Sequence, residues 1–422
     1  MIIKSWDKMG NNPIGNKFFS SEKYNLSKLP NSIISVLTPE KSKNRLYYSC
    51  FNDSYDKVVL FLIDGLGKNY LQKFNESNNF LKTIKRIGAD YFLTCQFPST
   101  TTSNVTTIHT GLPVAQHGMY EWFYYEPLVD DIIAPVLFSY AGDDDRETLQ
   151  IKFNPDDIYP TKNVYQKLNQ HGVKSFVFQE KKLINTNYSK TLLKGAEVKG
   201  YGTLSNGFKI LAECINNENG KAYYLFYYSQ IDKASHEYGP ESKKANKEVR
   251  GLLKALEKLR VTLNKSDENI LFILTSDHGQ IALDKEKNIY LNQEFPEIEK
   301  YIKKSRNGNL LVPAGSPRDM FLYIKDEMID EALDFLQDKL HEKAVVCKTS
   351  YLIKKGYFGR KKVSKALQSR LSNLAILPLE NWTVWWYKKK IFEVDTSGHH
   401  GGLSEDEMEI PFLVWNYRDW IK

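Results

Sequence analysis

Three short apolar runs constrain this chain more than anything else in it. Residues 57–63, 222–228 and 269–274 are dense in Val, Ile, Leu, Phe and Tyr. Near-continuous apolar runs of that length predict strands buried on both faces, as in a parallel sheet covered by helices. Each run leads to an aspartate: Asp64 immediately, Asp232 shortly after Tyr228, and Asp277 after Thr275 and Ser276. Open α/β sheets place ligand sites outside the C-terminal ends of their strands. An aspartate at three such ends predicts one shared site. Taken alone, Asp64 would also serve to cap the helix expected over residues 68–87.

The stretch from Phe97 to Gly111 is the second landmark. It follows a largely apolar run, residues 91–97, expected to be a buried strand, and it is crowded with Ser and Thr. A short helix is expected after Ser103, with Gly111 just past its end. The start of a helix offers unpaired N–H groups and a positive partial charge, which suit a phosphate. A hydroxyl-rich turn with an ordinary N-cap is the bland alternative. A threonine hydroxyl is a weak nucleophile unless a base or a metal activates it. No base is close in sequence, but metal-ligand types are scattered along the chain: Asp64, Asp232, His236, Asp277, His278 and His400. Two ions about 4 Å apart can clamp an in-line displacement at phosphorus. Each takes about three protein ligands with one position open. Asp64, Asp277 and His278 form one expected set, with the Thr101 oxygen as fourth ligand. Asp232, His236 and His400 form the other. The His/Asp mixture favours zinc and tolerates manganese.

With 422 residues the chain can bury a large core. Its net charge of +7 is dilute, which fits an anionic small molecule and argues against a nucleic-acid polymer. Cys50, Cys95, Cys214 and Cys347 match neither a zinc-finger nor a redox spacing and suit free thiols in a reducing cytoplasm. The first residues lack the pattern of a signal peptide, and no run is long enough to span a membrane. The expected location is therefore cytoplasmic, with a mature secreted chain as the alternative. Oligomeric state is not legible.

Along the chain, residues 1–55 read as a polar lead-in packed on the core. Residues 56–312 form the first part of an α/β domain, 313–385 an inserted α+β cap, and 386–422 the closing segment. The block Tyr120, Trp122, Phe123, Tyr124 and Tyr125 offers either base stacking or core packing. Strands are expected at 132–140 and 174–178. Asp143, Asp144 and Asp145 between them fit a solvated turn better than a cation loop. Asp232 and His236 are expected in a loop closed by Gly239 and Pro240. An amphipathic helix is expected from Ala245 to Leu263, and Lys388, Lys389 and Lys390 read as a solvated edge.

Five motifs occur in order: Asp64-Gly65; Phe97-Pro98 with Thr101 and Asn104; Asp232 and His236 with Gly239-Pro240; Asp277-His278-Gly279; and His400-Gly401. Together they closely resemble the nucleotide pyrophosphatase/phosphodiesterase family of the alkaline phosphatase superfamily. The resemblance implies an alkaline-phosphatase-like three-layer α/β sandwich with a mostly parallel central sheet and a small cap. It implies a two-metal hydrolase of phosphodiester or pyrophosphate bonds, acting on nucleotides or their derivatives. Thr101 would form a phosphothreonine intermediate, and Asn104 would donate to the phosphate with the Thr101 or Thr102 N–H. Family members often carry Lys before the nucleophile and an aromatic after it. Here Thr100 and Thr102 stand there, so Tyr120, Trp122 or Tyr124 would have to replace the stacking contact. His400 is preferred to His399 as ligand because Gly401 follows it. His109 and His117 are expected to be structural. No Arg lies between Arg86 and Arg146, which favours a diester over a monoester. A sulfatase is disfavoured because its motif is absent. A phosphomonoesterase or phosphomutase of the superfamily remains the alternative among enzymes, and a silent metal-stabilised binding protein the alternative outside them.

Overall fold

The computed structural model describes residues 24–40, 42–46, 48–75, 77–263 and 268–422. Most of the lead-in expected over residues 1–55, its first 23 residues, lies outside the described residues. The part that is described packs a helix, Leu29–Leu37, against the core through Leu29, Ile33, Val36 and Leu37.

Seven strands build the central sheet: β1 Lys57–Ile63, β2 Ala89–Thr94, β3 Lys174–Glu180, β4 Glu197–Tyr201, β5 Ala222–Tyr228, β6 Ile270–Thr275 and β7 Glu409–Asn416. Their spatial order is β2-β7-β6-β1-β5-β3-β4. β1 lies at the centre, parallel to β5 and β6, with Ile63 level with Tyr228 and Leu62 level with Thr275. That register brings the three acid-bearing strand ends to one edge. Every residue of β1 and β6 is buried, which explains their unbroken apolar sequence. β7 alone runs against its neighbours and sits between β6 and β2. Alternate residues of β1 feed two apolar layers: Val58, Leu60 and Leu62 face one, Val59, Phe61 and Ile63 the other. The chain is thus a mixed α/β protein with a mostly parallel central sheet.

A smaller four-stranded antiparallel sheet is formed by Gly315–Ser316, Asp319–Leu322, Ala344–Lys348 and Leu374–Pro378. Helix Ile329–Lys339 packs in its core, which also takes in Ile289, Leu291, Ile298 and Ile302.

Several expected elements differ. The run before Pro98 is an edge strand rather than a buried one, with Tyr91 40% exposed, because β7 covers one side and the other carries only a bridge from Asn25 to Thr94. The helix expected over 68–87 is two helices, Lys68–Asn75 and Asn79–Ile87. The second begins where the Asn78 side chain accepts the Leu81 N–H at 3.2 Å, a stronger capping preference than continuation. Residues 132–140 form two short strands of a small sheet, broken at Pro135. Asp232 and His236 lie on a helix, Gln230–Tyr238, not in a loop; Gly239 and Pro240 end it.

Candidate metal centre

The helix that carries Thr101, α1 (Thr101–Thr110), starts earlier than the sequence suggests. Thr101 therefore sits in its first turn. Thr100 is the N-cap residue, yet its side chain makes no capping hydrogen bond. The first N–H groups of α1 are left for an anion, with the helix dipole behind them. The Thr101 hydroxyl lies 3.2 Å from His278 Nε2.

Asp64, Asp277 and His278 converge from the ends of β1 and β6. Asp277 Oδ1 accepts the N–H groups of Gly65 (3.2 Å) and His278 (3.0 Å). Asp64 Oδ2 accepts the Tyr227 hydroxyl. The remaining oxygens, Asp64 Oδ1 and Asp277 Oδ2, are buried and, apart from His278, meet no donor among the described residues. They lie 3.3 and 3.5 Å from His278 Nε2. Buried carboxylate oxygens without partners are costly unless something positive faces them. The donor set thus fits a divalent cation. Burial works against charge on His278, but Asp277, then Asp64, push its pKa up to about 10. Asp277 is itself pushed well above the carboxylate range, first by burial and then by the Asp64 charge. Negative charge here calls for a cation.

Asp232 and His236 project from one face of the helix α2 (Gln230–Tyr238), four residues apart, with His236 Nε2 3.4 Å from Asp232 Oδ1. His400 Nε2 lies 3.7 Å from the same oxygen, and its ring stacks on that of His278 at 3.6 Å. His399 instead pairs its Nδ1 with the His400 backbone N–H at 2.9 Å. The ligating atoms of Asp64, Asp277 and His278 lie within 4.8 Å of one another, and so do those of Asp232, His278 and His400. His278 therefore stands between the two sets, and His236 joins the second through Asp232.

Each ring is aimed by its other nitrogen. His278 Nδ1 pairs with the Gly279 carbonyl, His236 Nδ1 with Gly398 and His400 Nδ1 with Ser99, all at 2.9 Å. Backbone carbonyls in that position fix the tautomer and leave Nε2 of His236 and His400 as the inward lone pair, whereas His278, held charged by the acids around it, would give up its Nε2 proton to a bound cation. Burial, and then the His278 charge, hold His236 down at about 4 and His400 well below the usual histidine value, so both are neutral, as ligands must be. Asp232 is raised to about 8, by burial and then by Asp64. Gly65 lets these pieces meet. Its φ is +69°, and a Cβ there would lie 2.9 Å from the Asp232 Cα.

Asn104 is placed differently from expectation. It is fully buried, its Oδ1 accepts the Gln96 N–H at 2.8 Å, and its Nδ2 faces the carbonyls of Thr100, Gln96 and Pro98 at 3.2–3.3 Å. It braces the loop before Thr101, and its amide nitrogen is also 3.0 Å from the Ser103 hydroxyl. Of the aromatic block, Tyr120 and Tyr124 are buried and stacked on each other at 5.3 Å. Trp122 is the member that lines the cleft beside Thr101. That cleft holds about 240 Å³ and continues past Asp64 and Asp232 along Val105, Leu137, Tyr188 and Leu225. Arg146 also reaches it, although it is distant from Thr101 in sequence, as do Lys182 and Lys233. His109, bonded to Tyr165 (2.7 Å), is buried but lines the same cleft, whereas His117 lies in the packed interior, bonded to Thr107 (3.0 Å). Asp143, Asp144 and Asp145 are exposed.

Sequence reasoning did not single out Tyr227, Gln280 or Arg146. Gln280 donates to Asp232 Oδ1 from the residue after Gly279. Its position next to an Asp-His-Gly motif was a usable signal. Tyr227 and Arg146 carried none, because strand facing and loop reach decide their roles.

The family described as type I phosphodiesterase / nucleotide pyrophosphatase has a model that matches residues 58–403. A curated human protein, ectonucleotide pyrophosphatase/phosphodiesterase family member 7, is 24% identical over 294 residues, covering 65% of this chain and 60% of that protein. The chain thus spans about 60% of the length of the curated relative it matches. Murine ectonucleotide pyrophosphatase / phosphodiesterase 5, solved as an inactive form in complex with AMP, superposes with a TM-score of 0.61 at 17% identity, over 85% of this chain and 87% of that one. Phosphonoacetate hydrolase from Sinorhizobium meliloti 1021, in complex with phosphonoacetate, superposes with a TM-score of 0.62 at 18% identity, over 84% and 89%. At such identities these solved structures attest the fold.

Proposed function

We propose, from the premise that this chain belongs to the type I phosphodiesterase / nucleotide pyrophosphatase family, that it is a two-metal hydrolase of phosphodiester or pyrophosphate bonds in small nucleotide-like molecules. One observation carries this. The Thr101 hydroxyl, at an uncapped helix start, lies 3.2 Å from the histidine shared by two ligand sets, the first of which holds two buried carboxylate oxygens that meet no other donor among the described residues.

Asp64, Asp277, His278 and Thr101 would hold one ion, and Asp232, His236 and His400 the other. Zinc suits these donors best, with manganese second. Bound there, such ions lower the pKa of a hydroxyl and neutralise charge on phosphoryl oxygens. Thr101 Oγ1 attacks phosphorus, forming a phosphothreonine as the leaving alkoxide or phosphate departs, and water then releases the product. The N–H groups of Thr101 and Thr102 hold the non-bridging oxygen. Trp122 and the apolar wall of Val105, Leu137 and Leu225 receive the organic group of the substrate. The AMP bound to the murine protein makes nucleotides the first class to try.

The first test replaces Thr101 with Ala. Turnover of bis(p-nitrophenyl) phosphate is expected to fall by a factor on the order of 10⁴ or more, with the metal content unchanged. Full activity in that variant would remove Thr101 from the mechanism. A second reading, monoester hydrolysis, is favoured by Arg146 at the cleft, since an arginine there can meet a dianionic phosphoryl group. The ratio of bis- to mono-nitrophenyl phosphate rates decides between them.

A further inference from the structure

Behind the nucleophile loop lies a second pair of buried acids that this chemistry does not use. Glu121 and Asp319 are both fully buried. Glu121 lies within hydrogen-bond range of the Asp319 carboxyl and of the Thr100 hydroxyl. One oxygen of each acid is held by donors: Glu121 Oε2 by the Trp122 N–H, Asp319 Oδ1 by the Ser316 hydroxyl at 2.5 Å. The other oxygen of each, Glu121 Oε1 and Asp319 Oδ2, is buried and meets no donor in hydrogen-bond geometry among the described residues. Asp64 and Asp277 show the same pattern, one oxygen fixed and one bare and buried.

Two adjacent carboxylates out of water repel each other and need a positive neighbour. The nearest arginine along the chain does not supply it. Arg318 forks onto Glu407, with Nε and Nη2 each at 3.0 Å. The His278 charge reaches Glu121, but among the described residues the groups that face the pair's two bare atoms are oxygens. Oxygen-only sets suit hard ions such as Mg²⁺, Mn²⁺ or Ca²⁺.

We propose that Glu121 Oε1 and Asp319 Oδ2, with the Thr100 hydroxyl, hold a hard divalent cation distinct from the two-metal centre. Its position gives it a positioning role. Thr100 precedes Thr101, Glu121 precedes Trp122 of the cleft, and Ser316 lies 3.3 Å from the His400 carbonyl. The ion would tie together three segments that meet at the reaction centre. The proposal does not depend on the two-ion reading, and one assay separates them.

The test uses the purified protein, isolated without chelators, saturated with zinc and then dialysed against Mn²⁺. Metal content and the Mn²⁺ electron paramagnetic resonance signal are recorded together. The expected result is one equivalent of Mn²⁺ beyond the zinc, absent in the Glu121→Gln/Asp319→Asn double variant while its zinc content is unchanged. Wild-type protein that takes up no Mn²⁺ beyond the zinc overturns the proposal and leaves the acids sharing a proton. A variant that retains the extra equivalent overturns it too. Should the double variant not fold, a Mn²⁺-dependent rise of several degrees in the Tm of the zinc-saturated wild type carries the test, and no rise overturns it. Failure of the two-metal reading would show separately, as missing zinc with the Mn²⁺ equivalent retained.

Discussion

The two proposed ligand sets are chemically alike but built on different supports. Asp64, Asp277 and His278 stand at the ends of central strands and are buried, with side-chain exposures of 4%, 0% and 0%. Asp232 and His236 ride on a nine-residue helix and keep 17% and 23% exposure, and His400 arrives on a returning loop. A strand in the middle of a sheet cannot shift without breaking its neighbours, whereas a short helix can. The first set is thus a fixed reference for Thr101, and the second is the side open to substrate and solvent.

That contrast is broken most directly by removing one ligand from each set. Asp277→Asn is expected to lose activity by far more than the roughly 10–100-fold that loss of an outer-sphere partner brings, and to lose bound metal at both sets, because it also displaces the shared His278. His236→Gln is expected to lose one ion and keep the other. Metal analysis of the two variants, run in parallel, checks this; equal losses would mean the supports do not matter.

The partners that aim the ligands give a smaller effect. Tyr227→Phe frees Asp64 Oδ2, and Gln280→Leu frees Asp232 Oδ1. Each is expected to weaken metal affinity by roughly 10–100-fold. A chelator titration should show Tyr227→Phe acting on the more slowly exchanging ion and Gln280→Leu on the faster.

The smallest effect separates acid loss of metal from acid loss of the fold. Burial holds His109 and His117, both outside the ligand sets, at about 3 against an ordinary 6.5. Between those values the unfolded chain binds protons that the native chain refuses, so stability rises with pH and falls as pH drops below 6.5. The Tm of metal-free protein should therefore decline from pH 7 towards pH 4. His109→Gln should flatten that decline, and an unchanged slope would assign it to other groups.

Residues whose roles follow from local pattern were legible before any coordinates. The apolar runs of β1, β5 and β6 announced buried parallel strands, and the acids after them marked one edge of the sheet. Family membership followed from five motifs in order. The edge position of β2 was not legible, because its composition matches an interior strand and only the pairing with β7 reveals one open side. The i, i+4 spacing of Asp232 and His236 was compatible with loop or helix. Asn104 was assigned by motif position alone, and its orientation is set by three carbonyls whose placement no linear pattern encodes. Arg146, Tyr227, Glu121 and Asp319 enter through contacts between distant segments. The argument from absent arginines counted neighbours along the chain, whereas Arg146 is a neighbour in space.

The inverted strand β7 has a consequence for how the molecule comes to exist. It is the last strand of the sheet in sequence, yet it lies between β6 and β2 rather than at a rim. During synthesis, β2 has no partner strand of the sheet, only the Asn25 bridge at Thr94, through more than three hundred residues until Glu409–Asn416 emerges to join it. His400 leaves the ribosome just ahead of that strand. A chain still lacking that segment is consequently incompletely zipped and, on the proposed mechanism, chemically silent, and one segment completes the sheet and the proposed catalyst together.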